Sequence, residues 1–313
     1  KHVNWSVGNS TQGNLLDPGT TPHDNLNFLL FCGAVIRGVE KFGPLLRAVC
    51  ATAGNDHRLG ANEAPPAILS VYLGDQLEKV FQDIKDGKLV KGKDTAAMDL
   101  GLSQILKFER DPGDRNRTSP FAFTGNRFEF RAVGSAQSVT GPLIAMNTML
   151  ADSLNWVADT LAAELEKGTE KTAAVINVLQ ELINKHGNVI FGGDGYSSEW
   201  HEMAVKERRL PNIPTTADAL PIFENDAVKA LFESTGVLSA VELQSRYEVY
   251  AEQYILSIEV EAKLVIDIAK TTIYPAAIHY VSDLTMASAG LAEINIDMDN
   301  SIAKNVAAET NAM

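Results

Sequence analysis

Positive charge, cysteine and long apolar runs are all scarce in this chain of 313 residues, and each scarcity excludes a class of protein. The formal net charge of −13 argues against nucleic acid or an anionic membrane as a partner. No apolar stretch reaches transmembrane length, since the run at 28–36 ends at Arg37. No signal peptide is visible, and the two cysteines, Cys32 and Cys50, are expected to be buried free thiols. We therefore expect a cytoplasmic protein.

Hydrophobic periodicity predicts strands early in the chain and helices later. An apolar content of 45% is enough to bury a sizeable core, and the pattern turns helical after about residue 143. These features together predict an α+β fold. The first predicted helix spans 25–50, begins at Asp24 as its cap and is broken at Gly43-Pro44. A long helix is predicted from a Ser239/Glu242 capping box to Pro275. The other predicted helices span 66–83, 143–167 and 171–186.

The segment 115–131, RNRTSPFAFTGNRFEFR, carries the strongest functional signal. Strict alternation predicts a strand with Arg127, Glu129 and Arg131 on one face and two phenylalanines on the other. Two guanidiniums flanking a carboxylate can hold a metal ion beside anionic oxygens, as phosphoryl chemistry requires. The alternative is a solvated strand face with cross-strand salt bridges.

Two further segments carry polar side chains of the same kind. The opening KHVNWSVGNS alternates polar with apolar residues, which predicts a strand whose imidazole suits a divalent metal. The segment 53–66, AGNDHRLGANEAPP, has the composition of a loop and carries Arg58 and Glu63. Each segment by itself also fits an ordinary polar turn. The polar residues of the opening strand are His2, Asn4 and Ser6.

Taken together, the three segments resemble glutamine synthetase, most closely the type III class. A histidine-bearing strand, a loop ending in Glu-Ala-Pro and an Asn-Arg-Ser/Thr stretch leading to Arg-x-Glu-x-Arg follow in the family's order. The stretch GSAQSVTGPLIAMNTMLADSL resembles the helix region after these motifs, and FGGDGYSSEWHEMAVKERRLPNIPTTADALP resembles the type III extension. The resemblance implies part of a curved antiparallel-sheet catalytic domain with flanking helices at 1–150. At 151–313 it implies a mainly helical carboxy-terminal type III region.

The resemblance also implies a metal and nucleotide site. His2 and Glu129 would be ligands of the metal that bridges the ATP phosphates, and their donor atoms suit Mg²⁺ or Mn²⁺. Arg117 would also meet the transferred phosphoryl group. The residues assigned to ATP are Asn4, Ser6, Arg117 and Arg127.

A glutamate site is implied beside it. Arg58, Arg117 and Arg131 would hold L-glutamate and the γ-glutamyl phosphate formed from it. Glu63 would lie on the flap over the glutamate, where it helps to take a proton from ammonium. Glu63 and Arg117 are the implied catalytic residues.

The implied reaction is ATP-dependent ligation of ammonia to the γ-carboxylate of L-glutamate, the activity of a glutamate–ammonia ligase. Family members form homo-oligomers of stacked rings with shared active sites. The chain lacks the family's amino-terminal part, including further metal-binding glutamates, so we expect the piece alone to be inactive. A γ-glutamyl-amine ligase and a non-catalytic assembly or regulatory relative are the alternatives.

Overall fold

The α+β class is confirmed by a computed structural model, which describes residues 2–61, 64–88, 97–98, 108–109 and 119–312. Strands and helices alternate in the first part, and helices follow in the second. The strands are β1 Val3–Trp5, β2 Gly8–Asn9, β3 Gly13–Asn14, β4 Val71–Tyr72, β5 Ala97–Met98, β6 Phe108–Glu109, β7 Phe121–Phe123 and β8 Phe128–Phe130. The helices are α1 Leu26–Ala48, α2 Ala53–Asp56, α3 Asp75–Lys85, α4 Thr140–Glu166, α5 Lys171–His186, α6 Ser198–Lys206, α7 Thr216–Ala219, α8 Asp226–Ser234, α9 Ala240–Ile268, α10 Tyr274–Glu293 and α11 Ser301–Ala312.

A four-stranded sheet in the order β1-β8-β7-β4 carries the two predicted motif strands side by side. β8 pairs antiparallel with both β1 and β7, as expected for this domain. β4, however, pairs parallel with β7, so the sheet is mixed at one edge. The long connection from β4 to β7, which includes α3, has the length that a parallel crossover needs.

Phenylalanine rings form the buried face of this sheet. Phe128 and Phe130 of β8 are fully buried, which confirms the predicted alternation. The Phe121 ring of β7 lies 5.2 Å and 5.7 Å from these two rings. Phe28 of α1 packs on Phe123 at 5.6 Å, so the first long helix covers the sheet. Burying these rings on one face leaves the opposite face of β8 for polar side chains.

Helix α1 differs from its prediction at its start. The cap is Asn25 rather than Asp24, because the Asn25 Oδ1 accepts a hydrogen bond from the Phe28 N–H at 3.1 Å. The break predicted near Pro44 is present, with non-helical angles at Phe42. Proline lacks an N–H and its ring clashes with the preceding turn, which explains the kink.

The helix predicted for 66–83 is wrong in its first half. Val71 and Tyr72 form β4, and α3 begins only after Gly74, whose φ is +79°. The backbone N–H and C=O groups of this segment form hydrogen bonds with β7 instead of the local hydrogen bonds of a helix. This tertiary pairing cannot be read from the local sequence.

The later helices follow the sequence pattern closely. α5 has its predicted bounds, and α4 begins three residues before its predicted start. The capping box is confirmed by bonds of 2.8 Å from the Ser239 N–H to the Glu242 carboxylate and 3.3 Å from the Glu242 N–H to the Ser239 Oγ. The long helix ends at Ile268, and a π-helical turn leads to α10, which has Pro275 in its first turn.

Two compact units divide the chain, Lys1–Ala251 and Glu252–Met313. The first contains the sheet and the buried core. The second consists of helical segments with many exposed aliphatic side chains. The predicted division between residues 150 and 151 falls within α4 and stays a prediction. None of the helices that the structure describes combines the length and the apolar character needed to cross a bilayer.

Candidate functional site

The pairing of β1 with β8 brings the first and third motifs together. Asn4 lies opposite Glu129 in the register, and Asn4 is exposed while its neighbours Val3 and Trp5 are buried. The His2 Nδ1 lies 2.6 Å from the Glu129 Oε1. The predicted polar faces of the two strands therefore form one continuous surface.

Arg131 contacts the other oxygen of the same carboxylate. Its Nε and Nη2 donate to the Glu129 Oε2 at 3.1 Å and 3.0 Å. Burial raises the pKa of the Glu129 carboxyl, but the charge and hydrogen bonds of Arg131, together with His2, outweigh it and leave the pKa below its usual value. Glu129 is thus an anion at neutral pH, held between an imidazole and a guanidinium.

Arg58 lies where the chain leaves β8. Its Nη1 donates to the Val133 carbonyl at 3.3 Å, two residues beyond Arg131. The neighbouring Asn55 donates through Nδ2 to the Ala132 carbonyl at 2.9 Å. The structure therefore brings the second motif to the end of the strand that carries the third.

The start of that second motif is helical, which corrects its interpretation as a loop throughout. Residues 53–56 form the single turn α2. Thr52 caps this turn, because its Oγ1 accepts from the Asn55 N–H at 3.2 Å. A capped single turn tolerates the poor helix propensity of Gly54 and Asn55.

Other predicted residues lie apart from this cluster or outside the description. Arg127 is exposed in the bend before β8 and Arg131 follows its end, so the strand is two residues shorter than predicted. Ser6 is exposed beyond β1. Neither Arg127 nor Ser6 belongs to the group of contacts around Glu129 that the described residues form. Glu63 and Arg117 lie outside the described residues.

The donor set around Glu129 fits a divalent cation in part. Adjacent ligands of an octahedral ion with bonds of about 2.1 Å lie about 3.0 Å apart, so His2 and Glu129 are near enough to bind the same ion. Within residues 2–61, 64–88 and 119–312 there is no group of three or more His, Cys, Asp or Glu side chains arranged to hold a metal. One imidazole and one carboxylate are fewer donors than the about six that Mg²⁺ prefers.

Comparison with known proteins finds relatives in the family that the motifs resemble. Residues 174–291 match the family model of the glutamine synthetase C-terminal domain. The chain is 45% identical over 276 residues to the type-3 glutamine synthetase of Dictyostelium discoideum, covering 88% of this chain and 37% of that protein.

The predicted resemblance to glutamine synthetase is confirmed. Glutamine synthetases of Bacteroides fragilis and Butyrivibrio fibrisolvens are each 40% identical over 91% of the chain, covering 39% and 40% of their own lengths. The chain thus spans about two fifths of the length of these curated relatives.

Sequence reasoning missed two contacts made by the segment that resembles the type III extension. Tyr196 donates its phenolic hydroxyl to the Ala64 carbonyl at 2.9 Å. Thr216 donates its N–H and its hydroxyl to the Asp56 carboxylate at 2.6 Å and 2.8 Å. The sequence offers one signal for the first contact, the tyrosine that ends GGDGY.

Asp56 also binds a buried arginine. Arg47 at the end of α1 donates through Nη2 to the Asp56 Oδ1 at 2.8 Å, and its side chain is 1% exposed. The Arg47 Nε and Nη2 also donate to the Ile213 and Pro214 carbonyls at 2.7 Å and 3.0 Å. This network joins α1, α2 and the segment before α7.

Proposed function

We propose that the protein containing this chain ligates ammonia to the γ-carboxylate of L-glutamate at the expense of ATP. The products are L-glutamine, ADP and phosphate, with γ-glutamyl phosphate as the intermediate. The observation that carries the proposal is the His2–Glu129–Arg131 cluster, formed by two motif strands that resemble glutamine synthetase. Identity of 40–45% to glutamine synthetases over most of the chain supports it.

His2 and Glu129 are the proposed metal ligands. Mg²⁺ or Mn²⁺, when bound there, would neutralise charge on the ATP phosphates during phosphoryl transfer. Arg131 fixes the Glu129 carboxylate through two N–H donors and keeps it ionised. A ligand carboxylate oriented in this way needs little rearrangement to bind a cation.

Arg58 and Arg131 are the proposed partners of the glutamate substrate. The Arg58 Nη1 donates to the Val133 carbonyl, which holds the guanidinium beside the end of β8. A guanidinium has five N–H donors and can bind a substrate carboxylate in a bidentate manner. Holding the acid beside the metal positions its γ-carboxylate for phosphorylation.

The other roles implied by the motifs complete the proposal. Asn4, Ser6, Arg117 and Arg127 would contact ATP, and Arg117 would also stabilise the transferred phosphoryl group. Glu63 would accept the proton of ammonium, and its loop would exclude water from the acyl phosphate.

Assembly and location complete the proposed description. We place the protein in the cytoplasm, because Cys32 and Cys50 are both free and fully buried, as suits a reducing compartment. We also propose a homo-oligomer of stacked rings with active sites shared between subunits. Sedimentation of the full-length protein tests the assembly.

The function is tested by glutamine and ADP formation in the full-length protein. Both products should require glutamate, ammonium and a divalent cation. Glu129→Gln should lower kcat by more than about 100-fold, because changing even outer-shell groups of a metal site costs about 10- to 100-fold. The matched control is Glu202→Gln, an exposed carboxylate paired with Lys206, which should leave kcat within about twofold.

Two results would contradict the proposal. Wild-type protein that forms ADP only with an alkylamine would instead support a γ-glutamyl-amine ligase. A well-folded full-length protein without any glutamate-dependent ADP formation would support a non-catalytic relative.

A further inference from the structure

We propose that the segment 191–216 holds the loop carrying Arg58 in position, with Tyr196 and Thr216 as positioning residues for the glutamate site. This inference rests on the proposed function for the role of Arg58. It gives a functional role to the segment 191–216, which lies outside the three catalytic motifs. The argument depends on two anchors, one on each side of the loop.

The first anchor is the hydrogen bond from the Tyr196 hydroxyl to the Ala64 carbonyl, at 2.9 Å. Ala64 is 1% exposed and directly follows Glu63 in the sequence. Tyr196 itself is 37% exposed, so burial of its ring contributes less than for a core tyrosine. The contact of its hydroxyl is therefore the feature that distinguishes tyrosine from phenylalanine here.

The Tyr196 side chain projects from a well-ordered turn. The Asp194 Oδ1 accepts from the Tyr196 N–H at 2.9 Å, and the Asp194 carbonyl accepts from the Ser197 hydroxyl at 3.0 Å. Before the turn, the Phe191 ring stacks on Trp200 with centroids 3.6 Å apart and planes at 9°. A rigid support of this kind transmits the position of the segment to the loop.

The second anchor is the Asp56 carboxylate, two residues before Arg58. It accepts from the N–H and hydroxyl of Thr216 and from Arg47. Thr216 is 1% exposed, so these bonds are shielded from water. The beginning of the loop is therefore fixed to the same segment as its end.

Between the two anchors, the loop is closed on itself and joined to the sheet. The Gly60 N–H donates to the Pro65 carbonyl at 2.9 Å, and Gly60 has a φ of +77° that favours glycine. The Arg58 Nη1 reaches the Val133 carbonyl. Because both ends are held, Arg58 is presented beside β8 before the substrate binds, which lowers the entropy cost of binding.

The test compares Tyr196→Phe and Thr216→Val with wild type in the full-length protein. Each substitution removes one hydroxyl and keeps the side-chain shape. We expect the KM for glutamate to rise about three- to tenfold in each, the factor that corresponds to one net hydrogen bond. The KM for ATP should stay at the wild-type value, whereas the melting temperature of Thr216→Val should fall, because a buried hydrogen bond to a carboxylate is lost. Tyr280→Phe, at an exposed tyrosine of α10, is the matched control and should change neither KM.

A second readout does not depend on turnover. Trypsin should cleave after Arg58 faster in Tyr196→Phe than in wild type, because a loop released at one end opens more often. Mass spectrometry of the native full-length protein measures this cleavage, with cleavage after Arg246 as the internal reference.

The outcomes separate this inference from the function on which it rests. The positioning role is overturned if both variants keep glutamate-dependent activity, the wild-type KM for glutamate and the wild-type rate of cleavage after Arg58. The proposed function would still stand in that case. Equal changes in the KM for glutamate and the KM for ATP would indicate a merely structural role and also overturn the positioning role. A wild-type protein without glutamate-dependent activity overturns the function, and with it this inference.

Discussion

Two carboxylates of this chain form ion pairs with buried arginines at similar distances, yet their surroundings differ. Asp56 lies 2.8 Å from Arg47, and Glu129 lies 3.0 Å from Arg131. The Asp56 pair is enclosed by bonds to the protein, since Thr216 donates twice to the carboxylate. The Glu129 pair has instead an imidazole as its third member, the ring of His2, whose side chain is 25% exposed.

This difference separates a structural ion pair from a candidate site. Arg47 and Thr216 donate to both oxygens of the Asp56 carboxylate, so this carboxylate is satisfied without a ligand. The imidazole of His2 and the carboxylate of Glu129 are both groups that can exchange a hydrogen bond for a metal ion. A carboxylate paired with an arginine is therefore part of the folded core in one place and part of the candidate site in the other.

The largest expected effect on stability comes from removing the enclosed ion pair of Asp56 and Arg47. Asp56→Ala should lower the free energy of unfolding by about 3–5 kcal/mol, because it leaves the Arg47 guanidinium buried without its counter-charge. Urea unfolding of the full-length protein measures the change. The exposed pair of Glu202 and Lys206 is the control, and Glu202→Ala should cost less than about 1 kcal/mol. Equal losses in the two variants would show that burial does not distinguish these pairs.

The smallest expected effect on stability concerns Glu170, an exposed carboxylate that is stabilised by hydrogen bonds and not by a paired cation. Hydrogen bonds from the Thr172 and Ala173 N–H groups hold the pKa of the Glu170 carboxyl below its usual value. Because this pKa is lower in the folded state than in the unfolded state, the ionised carboxyl stabilises the fold above the unfolded-state pKa of about 4.3. This stabilisation is lost as the pH falls through the lower pKa of the folded state. Urea midpoints of wild type and Glu170→Gln should therefore differ at neutral pH and converge in acid. A difference that stays constant with pH would contradict this cause.

The helical part of the fold could be predicted from the sequence because its signals are local. The Ser239/Glu242 capping box and the bounds of α5 follow from neighbouring residues alone. The strand β4 could not be predicted in the same way, since it depends on pairing with β7, 50 residues later. Local periodicity does not contain such a pairing.

The sequence predicted which residue types form the candidate site better than it predicted which segments contact each other there. The alternation of β1 and β8 placed His2 and Glu129 on polar faces, and the structure adds that the two strands are neighbours. The contact of Tyr196 with Ala64 joins residues 132 positions apart. No pattern within either segment carries that information, so this contact could not be predicted from the sequence.

Binding of Mn²⁺ to the full-length protein tests the central claim most directly. Electron paramagnetic resonance counts the bound ions in wild type and in Glu129→Gln, at equal protein concentration and with the fold checked by circular dichroism. If Glu129 and His2 share a cation, the variant binds fewer ions or binds one at least about tenfold more weakly. Equal numbers of ions bound with equal affinity would contradict the metal site, and with it the proposed roles of these two strands.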